Sequence, residues 1–349
     1  MMRFNLLNKS FFVLLAMIFI FSSCDDDEKT PSVTTNVMVF HEGGFTKNNA
    51  TVASYNQESM EYEALAYNNA NGSFIGDVQQ SATQHNGKIY SVLNGSNSIQ
   101  IFDSETMLSA GNITSERMDM PRYLAISGNT GYLSNWGPYD ENYNLTDSNI
   151  LKIDLQNNEV TEVIESGDYV ENVFLQNDKL LVSRAKWDGS IKHLTVINTD
   201  SKQIIEDIEL PVGPAEIISD DNGSIWVICT SGKLVKLNSD VTAIEETVDL
   251  GDGALEDIDL FENEIYFYQK STSSVKKYII SSSSIMNVLS NVTLELPYAL
   301  GVDPNSGEIY LADGVDYAGE GKVIRYSAEG EIIDEITESG VLPTQFIFN

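Results

Sequence analysis

A phrase of roughly 45 residues recurs along this chain from Val37 to Asn349, and no other feature restricts its fold as tightly. Each copy reads as an inner apolar strand, a turn holding Asn, Asp or Gly, and a second strand rich in Ile, Tyr and Leu. A loop of variable length and a third strand ending near Asp or Asn complete it. One copy is QSATQHNGKIYSVLN from Gln80, followed by SIQIFDSET; another is PRYLAISGNTGYLSN from Pro121, followed by NILKIDLQN. The rest are ENVFLQNDKLLVSR from Glu171, AEIISDDNGSIWVIC from Ala215, EDIDLFENEIYFYQ from Glu256 and YALGVDPNSGEIYLAD from Tyr298. Matching their second strands aligns Ile89, Tyr132, Leu180, Ile225, Ile265 and Ile309, about 40 to 50 residues apart, the period of four-stranded propeller blades. Alternating apolar positions and β-branched or aromatic content mark the strands, and Asn, Asp and Gly mark the turns.

The two ends supply what is missing. Pro343-Thr344-Gln345-Phe346-Ile347-Phe348 reads as a first strand with no blade after it, and Val37-Met38-Val39-Phe40 as a second strand with none before it. Together they complete a further blade, so the expected fold is all-β, a seven-bladed β-propeller closed by pairing of its N- and C-terminal strands. Such closure removes an exposed sheet edge at the ring junction.

Upstream of the repeats lies a different kind of segment. Arg3 and Lys9 precede an unbroken apolar run, Phe11 to Phe21, then Ser22, Ser23 and Cys24. That is the layout of a secretory signal, and its apolar run is too short for a bilayer, which takes about 20 residues. Ser-Ser-Cys in this setting resembles the lipobox of bacterial lipoproteins, in which the cysteine is lipidated. The following Asp25-Asp26-Asp27-Glu28 resembles the acidic tag that Bacteroidetes use to export lipoproteins to the cell surface. The expected organisation is a lipoprotein signal peptide over 1–23, a lipidated flexible tether over 24–36 and the propeller over 37–349, anchored at the outer membrane surface by Cys24.

Removing residues 1–23 takes away Arg3 and Lys9 and no acid, leaving 52 acidic against 18 basic side chains, a net charge of −34. Nucleic acid and anionic lipid are repelled by such a chain, although it can attract cations. With Cys24 lipidated, only Cys229 is left, inside the strand-like run Ser224 to Cys229, so no internal disulfide forms.

Candidate ligand groups follow from the propeller's geometry. First strands line the central channel, and the loops leading into them share a face with the loops joining strands two and three. Those latter loops carry aromatics among Gly, Asp and Asn: Ser134 through Trp136 to Tyr139 and on to Asp147, Arg184 to Gly189 with Trp187, and Asp313 to Gly319 with Tyr317. Aligning the strands puts Gln80, Tyr123, Glu171, Glu216, Glu256, Ala299 and Gln345 at one channel level, with Arg122 and Tyr298 one position earlier. Three converging carboxylates, Glu171, Glu216 and Glu256, could bind a hard cation or simply be hydrated acids in a wet channel, and any metal stays undetermined. His41, His85 and His193 match no metal-binding spacing, and there is no GxSxG, P-loop or GxGxxG unit. The enzyme alternative is a calcium-dependent lactonase of propeller type using Glu171, Asn172, Glu216 and Asp257, an analogy from fold. No catalytic residue or required cofactor is expected.

The phrases from Gly213 (GPAEIISDDNGSIWV) and Pro297 (PYALGVDPNSGEIYLAD) are similar to the repeats of YncE-like and NHL-type propellers. With the lipobox and acidic tag, the chain resembles the DUF5074/YncE-like surface lipoproteins, a group that includes the BtuG-type cobalamin-binding propellers. The resemblance implies capture of a nutrient, cobalamin or a related corrinoid, and its transfer to a TonB-dependent outer-membrane transporter. It transfers a face and not individual residues. A corrinoid is large, partly apolar and rimmed with amides. Trp136, Tyr139, Trp187, Tyr298 and Tyr317, with Asn94, Asn135, Gln80 and Gln345 as amide partners, suit such a solute. An interaction scaffold within a surface complex is the alternative.

Overall fold

A computed structural model describes residues 37–349, apart from the side chain of Glu256. The signal segment, Cys24 and the tether through residue 36 lie outside the described residues. The described residues form seven four-stranded antiparallel sheets, six of them built from four consecutive strands. Blade 1 is the composite one. Its inner strand, Pro343–Phe348, pairs with Val37–His41, which pairs with Thr51–Tyr55 and then Tyr62–Glu63. Phe346 and Phe348 fix this junction by lying 5.6 and 5.3 Å from the Tyr310 ring of blade 7. The inner strands of blades 2 to 7 are Gln79–His85, Pro121–Ser127, Val170–Gln176, Pro214–Ser219, Ala254–Phe261 and Pro297–Val302.

The core is not one cluster but seven, one between each pair of neighbouring blades. Side chains alternate across a strand, so a second strand that is apolar throughout serves both its neighbours. Val37 and Val39 join the cluster shared with blade 7, whereas Met38 and Phe40 join the one shared with blade 2. Cys229 is one of these buried hydrophobes.

Every inner strand shifts register at its channel-mouth end, where it carries one extra residue relative to the second strand, or two in blade 6. Such a bulge leaves an N–H without a ladder partner. In blades 3 and 4 the Ser134 and Ser183 hydroxyls take it, accepting from Tyr123 and Asn172 at 3.0 and 2.9 Å. Just past the bulge one apolar residue per blade is buried: Phe346, Ala82, Leu124, Val173, Ile217, Ile258 and Leu300.

These bulges correct two parts of the expected alignment. Gly131, not Tyr132, is the equivalent of Ile89: Gly131 pairs with Ile126 as Ile89 pairs with Gln84. A Cβ on Gly131 would lie 3.1 Å from Leu124 Cδ1, so the apolar neighbours already fill that place. The residues expected at one channel level also separate into two. Counting back from the buried position gives a lower ring of Gln345, Ser81, Tyr123, Asn172, Glu216, Asp257 and Ala299. An upper ring holds Thr344, Gln80, Arg122, Glu171, Ala215, Glu256 and Tyr298. Gln80, Glu171 and Glu256 therefore sit one step nearer the mouth than Tyr123, Glu216 and Gln345.

Candidate functional site

Two loop classes meet on one face because of a bond repeated in all seven blades. The residue at the end of each second strand (Glu42, Asn94, Trp136, Ala185, Thr230, Lys270 or Gly314) donates its N–H to the carbonyl just before an inner strand. Four of those acceptor residues, Val78, Met120, Tyr169 and Leu342, hold left-handed backbone at φ between 50° and 62°. Non-glycine residues adopt that region at a cost of about 1–3 kcal/mol, here offset by the strand packing on either side. The face encloses a cavity of about 1680 Å³ that opens from the channel.

On the blade 3 and 4 side, the cavity wall is a network centred on Arg122. Its Nε donates to both Glu171 oxygens at 3.1 and 3.2 Å, while its terminal nitrogens reach Glu171 Oε1 and Gln80 Oε1. The guanidinium lies 4.0 Å from the Trp136 ring centroid, and the Trp136 indole N–H donates to Glu171 Oε2 at 2.9 Å. Tyr139 meets Trp136 edge to face at 6.4 Å. Burial works against the Arg122 charge, but the Glu171 carboxylate outweighs it and raises the guanidinium above its ordinary value. Nearby, Tyr298 donates its hydroxyl to Glu42 Oε2, and burial raises both groups.

The blade 5 and 6 side is acidic. Glu216 Oε2 accepts the Ile258 N–H at 2.9 Å, Asp257 Oδ2 accepts that of Leu300, and Asp259 Oδ2 accepts that of Val302 at 2.7 Å. Each carboxylate thus satisfies the channel-facing edge of the next blade. Gln345 does the same with a neutral group, accepting from Ala82 N at 2.7 Å and donating to Ala82 O at 2.9 Å. Burial first, and the neighbouring acids second, raise Glu216 far above the usual carboxylate range and Asp257 to about 7. Burial pushes Asp259 up to about 6. Tyr123 rises for the same first reason, with the charges of Glu171, Glu216 and Asp257 adding to it.

Ten of the residues expected from sequence line this cavity: Gln80, Arg122, Tyr123, Trp136, Tyr139, Glu171, Trp187, Glu216, Tyr298 and Gln345. Asn94, Asn135 and Tyr317 do not. Asn94 donates to Pro121 O at 3.2 Å, and the buried Asn135 accepts from Asp119 N at 2.7 Å, so both amides tie strand ends together. Tyr317 stands on its loop 70% exposed, beside the cavity and not on its wall. The Glu256 side chain lies outside the described residues. Glu42 and Asp259 also line the cavity, beside Asp257 and Asn172, the residue types of the lactonase alternative. Among the described residues, no three His, Cys, Asp or Glu side chains are grouped to hold a metal ion.

The family model described as a domain of unknown function, DUF5074, matches residues 36–349. No curated protein matches the chain. Among solved structures, a quinonprotein alcohol dehydrogenase-like protein of Bacteroides thetaiotaomicron VPI-5482 superposes with a TM-score of 0.65 at 17% identity, over 89% of this chain and 77% of that one. A candidate 6-phosphogluconolactonase of Bacteroides fragilis NCTC 9343 gives 0.61 at 16% identity, over 91% and 99%. The β-propeller domain of Myceliophteria thermophila Cps50 (Swd1) gives 0.58 at 10% identity, over 74% and 86%. Proteins this distant share the fold, and their differing names show how little the fold alone says about activity.

Proposed function

The chain belongs to the DUF5074 family, and from that premise and its channel mouth we propose that it is a lipid-anchored capture protein of the outer-membrane surface. Its ligand in this reading is a corrinoid such as cobalamin, held at the mouth and passed to a TonB-dependent transporter. The observation that carries the reading is the cavity of about 1680 Å³ walled by the Arg122–Trp136 stack. Pockets for drug-sized ligands run to roughly 1,000 Å³, so this one suits a bulkier solute with flat apolar faces. Phe45, Tyr143, Trp187 and Tyr317, between 70% and 91% exposed, stand on the same face and give a receiving partner broad aromatic contact.

Charge weighs against the phosphorylated-sugar chemistry named for one structural neighbour. Arg122, Lys186 and Lys192 on the wall already have anionic partners and stand among five carboxyl groups, Glu42, Glu171, Glu216, Asp257 and Asp259, so a phosphate would find no free cation there among the described residues. The protein therefore acts by binding in this reading. Equilibrium dialysis of the chain from Asp25 against submicromolar cyanocobalamin tests it, with retention of about one corrinoid per folded protein expected. Replacing Trp136 and Trp187 together by Ala should weaken retention at least tenfold. No retention by folded wild-type protein would overturn the proposal and favour the scaffold alternative, whose signature is co-purification with a transporter and no small-molecule ligand.

A further inference from the structure

We propose that the acidic wall of Glu216 and Asp257 determines which ligands the cavity accepts, with Asp257 taking hydrogen bonds from neutral amide N–H groups and turning away carboxylates. The proposal rests on the capture reading above and assigns a chemical preference to one wall of that site.

The argument begins from charge pairing. The cations on the cavity wall have anionic partners: Arg122 has Glu171, Lys186 has Asp188 at 3.2 Å and Lys192 has Glu209 at 3.0 Å. Among the described residues, Glu216, Asp257 and Asp259 have no cationic partner. The wall carboxyl groups without a cation are therefore Glu42, which takes the Tyr298 hydroxyl, and the three at blades 5 and 6.

Stitching one blade to the next does not require that charge. Gln345 occupies the equivalent position in blade 1 and satisfies Ala82 N and O with a neutral amide. A Gln at 216 or an Asn at 257 could present a carbonyl oxygen to Ile258 N or Leu300 N in the same way. Ionised groups at these two places gain nothing for the fold and are costly to bury unpaired. Their geometry shows what they leave available. Glu216 uses Oε2 and Asp257 uses Oδ2 for the neighbouring strand, and among the described residues no donor reaches Glu216 Oε1 or Asp257 Oδ1. Both side chains line the cavity. At pH 8, above the value of about 7 to which burial raises it, Asp257 is ionised and an acceptor only, so a ligand group against it must donate. A primary amide does so without charge, whereas the carboxylate made by hydrolysing it would set two anions together. Specificity of this kind comes from repulsion of the wrong ligand as much as attraction of the right one.

The test compares cyanocobalamin with its monocarboxylic derivatives, in each of which one peripheral amide has been hydrolysed, by dialysis at pH 8. Wild-type protein should bind at least one derivative tenfold or more weakly than the parent. In the Glu216→Gln/Asp257→Asn double variant that ratio should fall to within about twofold. Thermal melting of the double variant provides the folding control, and at pH 8 it should melt no lower than wild type. Retention of parent and acids with equal affinity by wild type, or a ratio unchanged in the double variant, would overturn the assignment while leaving capture intact. No retention of cyanocobalamin by wild type would overturn capture itself, and the assignment with it. A double variant that melts well below wild type would show that the charges serve the fold, which also overturns the proposal.

Discussion

Asp257→Asn is the substitution that most directly measures what the acidic wall costs the protein. Desolvation holds the Asp257 carboxyl up to about 7, against 3.8 in the unfolded chain; the Leu300 N–H offsets part of this and the Asp259 charge adds to it. Glu216 and the Tyr123 hydroxyl face the same space, with Glu171 and Arg122 beyond them. Roughly three decades of acidity at about 1.4 kcal/mol each amount to at most ~4 kcal/mol. The sign follows from where the protons sit. Below pH 4 both states are protonated and nothing is lost. Between about pH 4 and pH 7 the unfolded chain releases its proton while the folded protein keeps it, so stability declines as pH rises. Above pH 7 both are ionised and the penalty is constant. Asn escapes the penalty and can still offer an oxygen to Leu300 N. Its advantage over wild type should be near zero at pH 4 and reach its full value by pH 8. At ~2.1 cal/mol/K per residue over roughly 310 residues, that value corresponds to a Tm gain of roughly 6 °C. Thermal melts of both proteins followed by circular dichroism from pH 4.5 to 8.5 provide the measurement. A gap that stays flat with pH, or a variant that melts below wild type at pH 8, would refute the reasoning.

Two further substitutions probe the rest of the ring. Arg122→Met leaves the half-buried Glu171 beside Trp136 without its cation and should cost about 2 kcal/mol in urea unfolding, while adding Glu171→Gln should restore most of the loss. Penalties that simply add would show that the two groups are not a unit. Phe346→Ala removes a nearly buried ring packed on Tyr310 and should cost about 3 kcal/mol. Because the loss falls at the ring junction, amide exchange in Val37–His41 should accelerate before that of any other second strand, and uniform acceleration would argue against a local latch.

What repeats in the sequence was readable, and the seven-bladed architecture followed from it. Blade period, turn residues and two half-blades at the ends all report backbone geometry that every blade must obey. The channel register was harder, because a bulge displaces each inner strand by one or two residues and an ungapped alignment absorbs it silently. A one-residue slip is enough to exchange faces or levels. The signal that would have fixed it is present: Pro121, Pro214, Pro297 and Pro343 each stand three residues before a buried apolar position, Leu124, Ile217, Leu300 and Phe346. Proline suits the first residue of a strand, where no ladder N–H is needed. Asn94 and Asn135 illustrate a different limit. Their amides look available in a loop, and only the fold shows that backbone groups at neighbouring strand starts already occupy them.

The same comparison explains why the site is found where the blades disagree. At the buried position past the bulge all seven blades are apolar, from Ala82 to Phe346, because interblade packing allows little else. One residue earlier, on an equivalent backbone, stand Gln, Ser, Tyr, Asn, Glu, Asp and Ala, seven different side chains. An inner strand's open edge asks only for a hydrogen-bonding partner across the blade boundary, which Ser81, Glu216, Asp257 and Gln345 all provide in different ways. That requirement favours a polar group, Ala299 excepted, and leaves charge, size and shape open. The variation it leaves free gives the channel a cationic, aromatic side at blades 3 and 4 and an acidic side at blades 5 and 6. A ring of identical blades could close as well, but it would offer the same face in every direction. The asymmetry that the fold does not require is where selectivity for a ligand can reside.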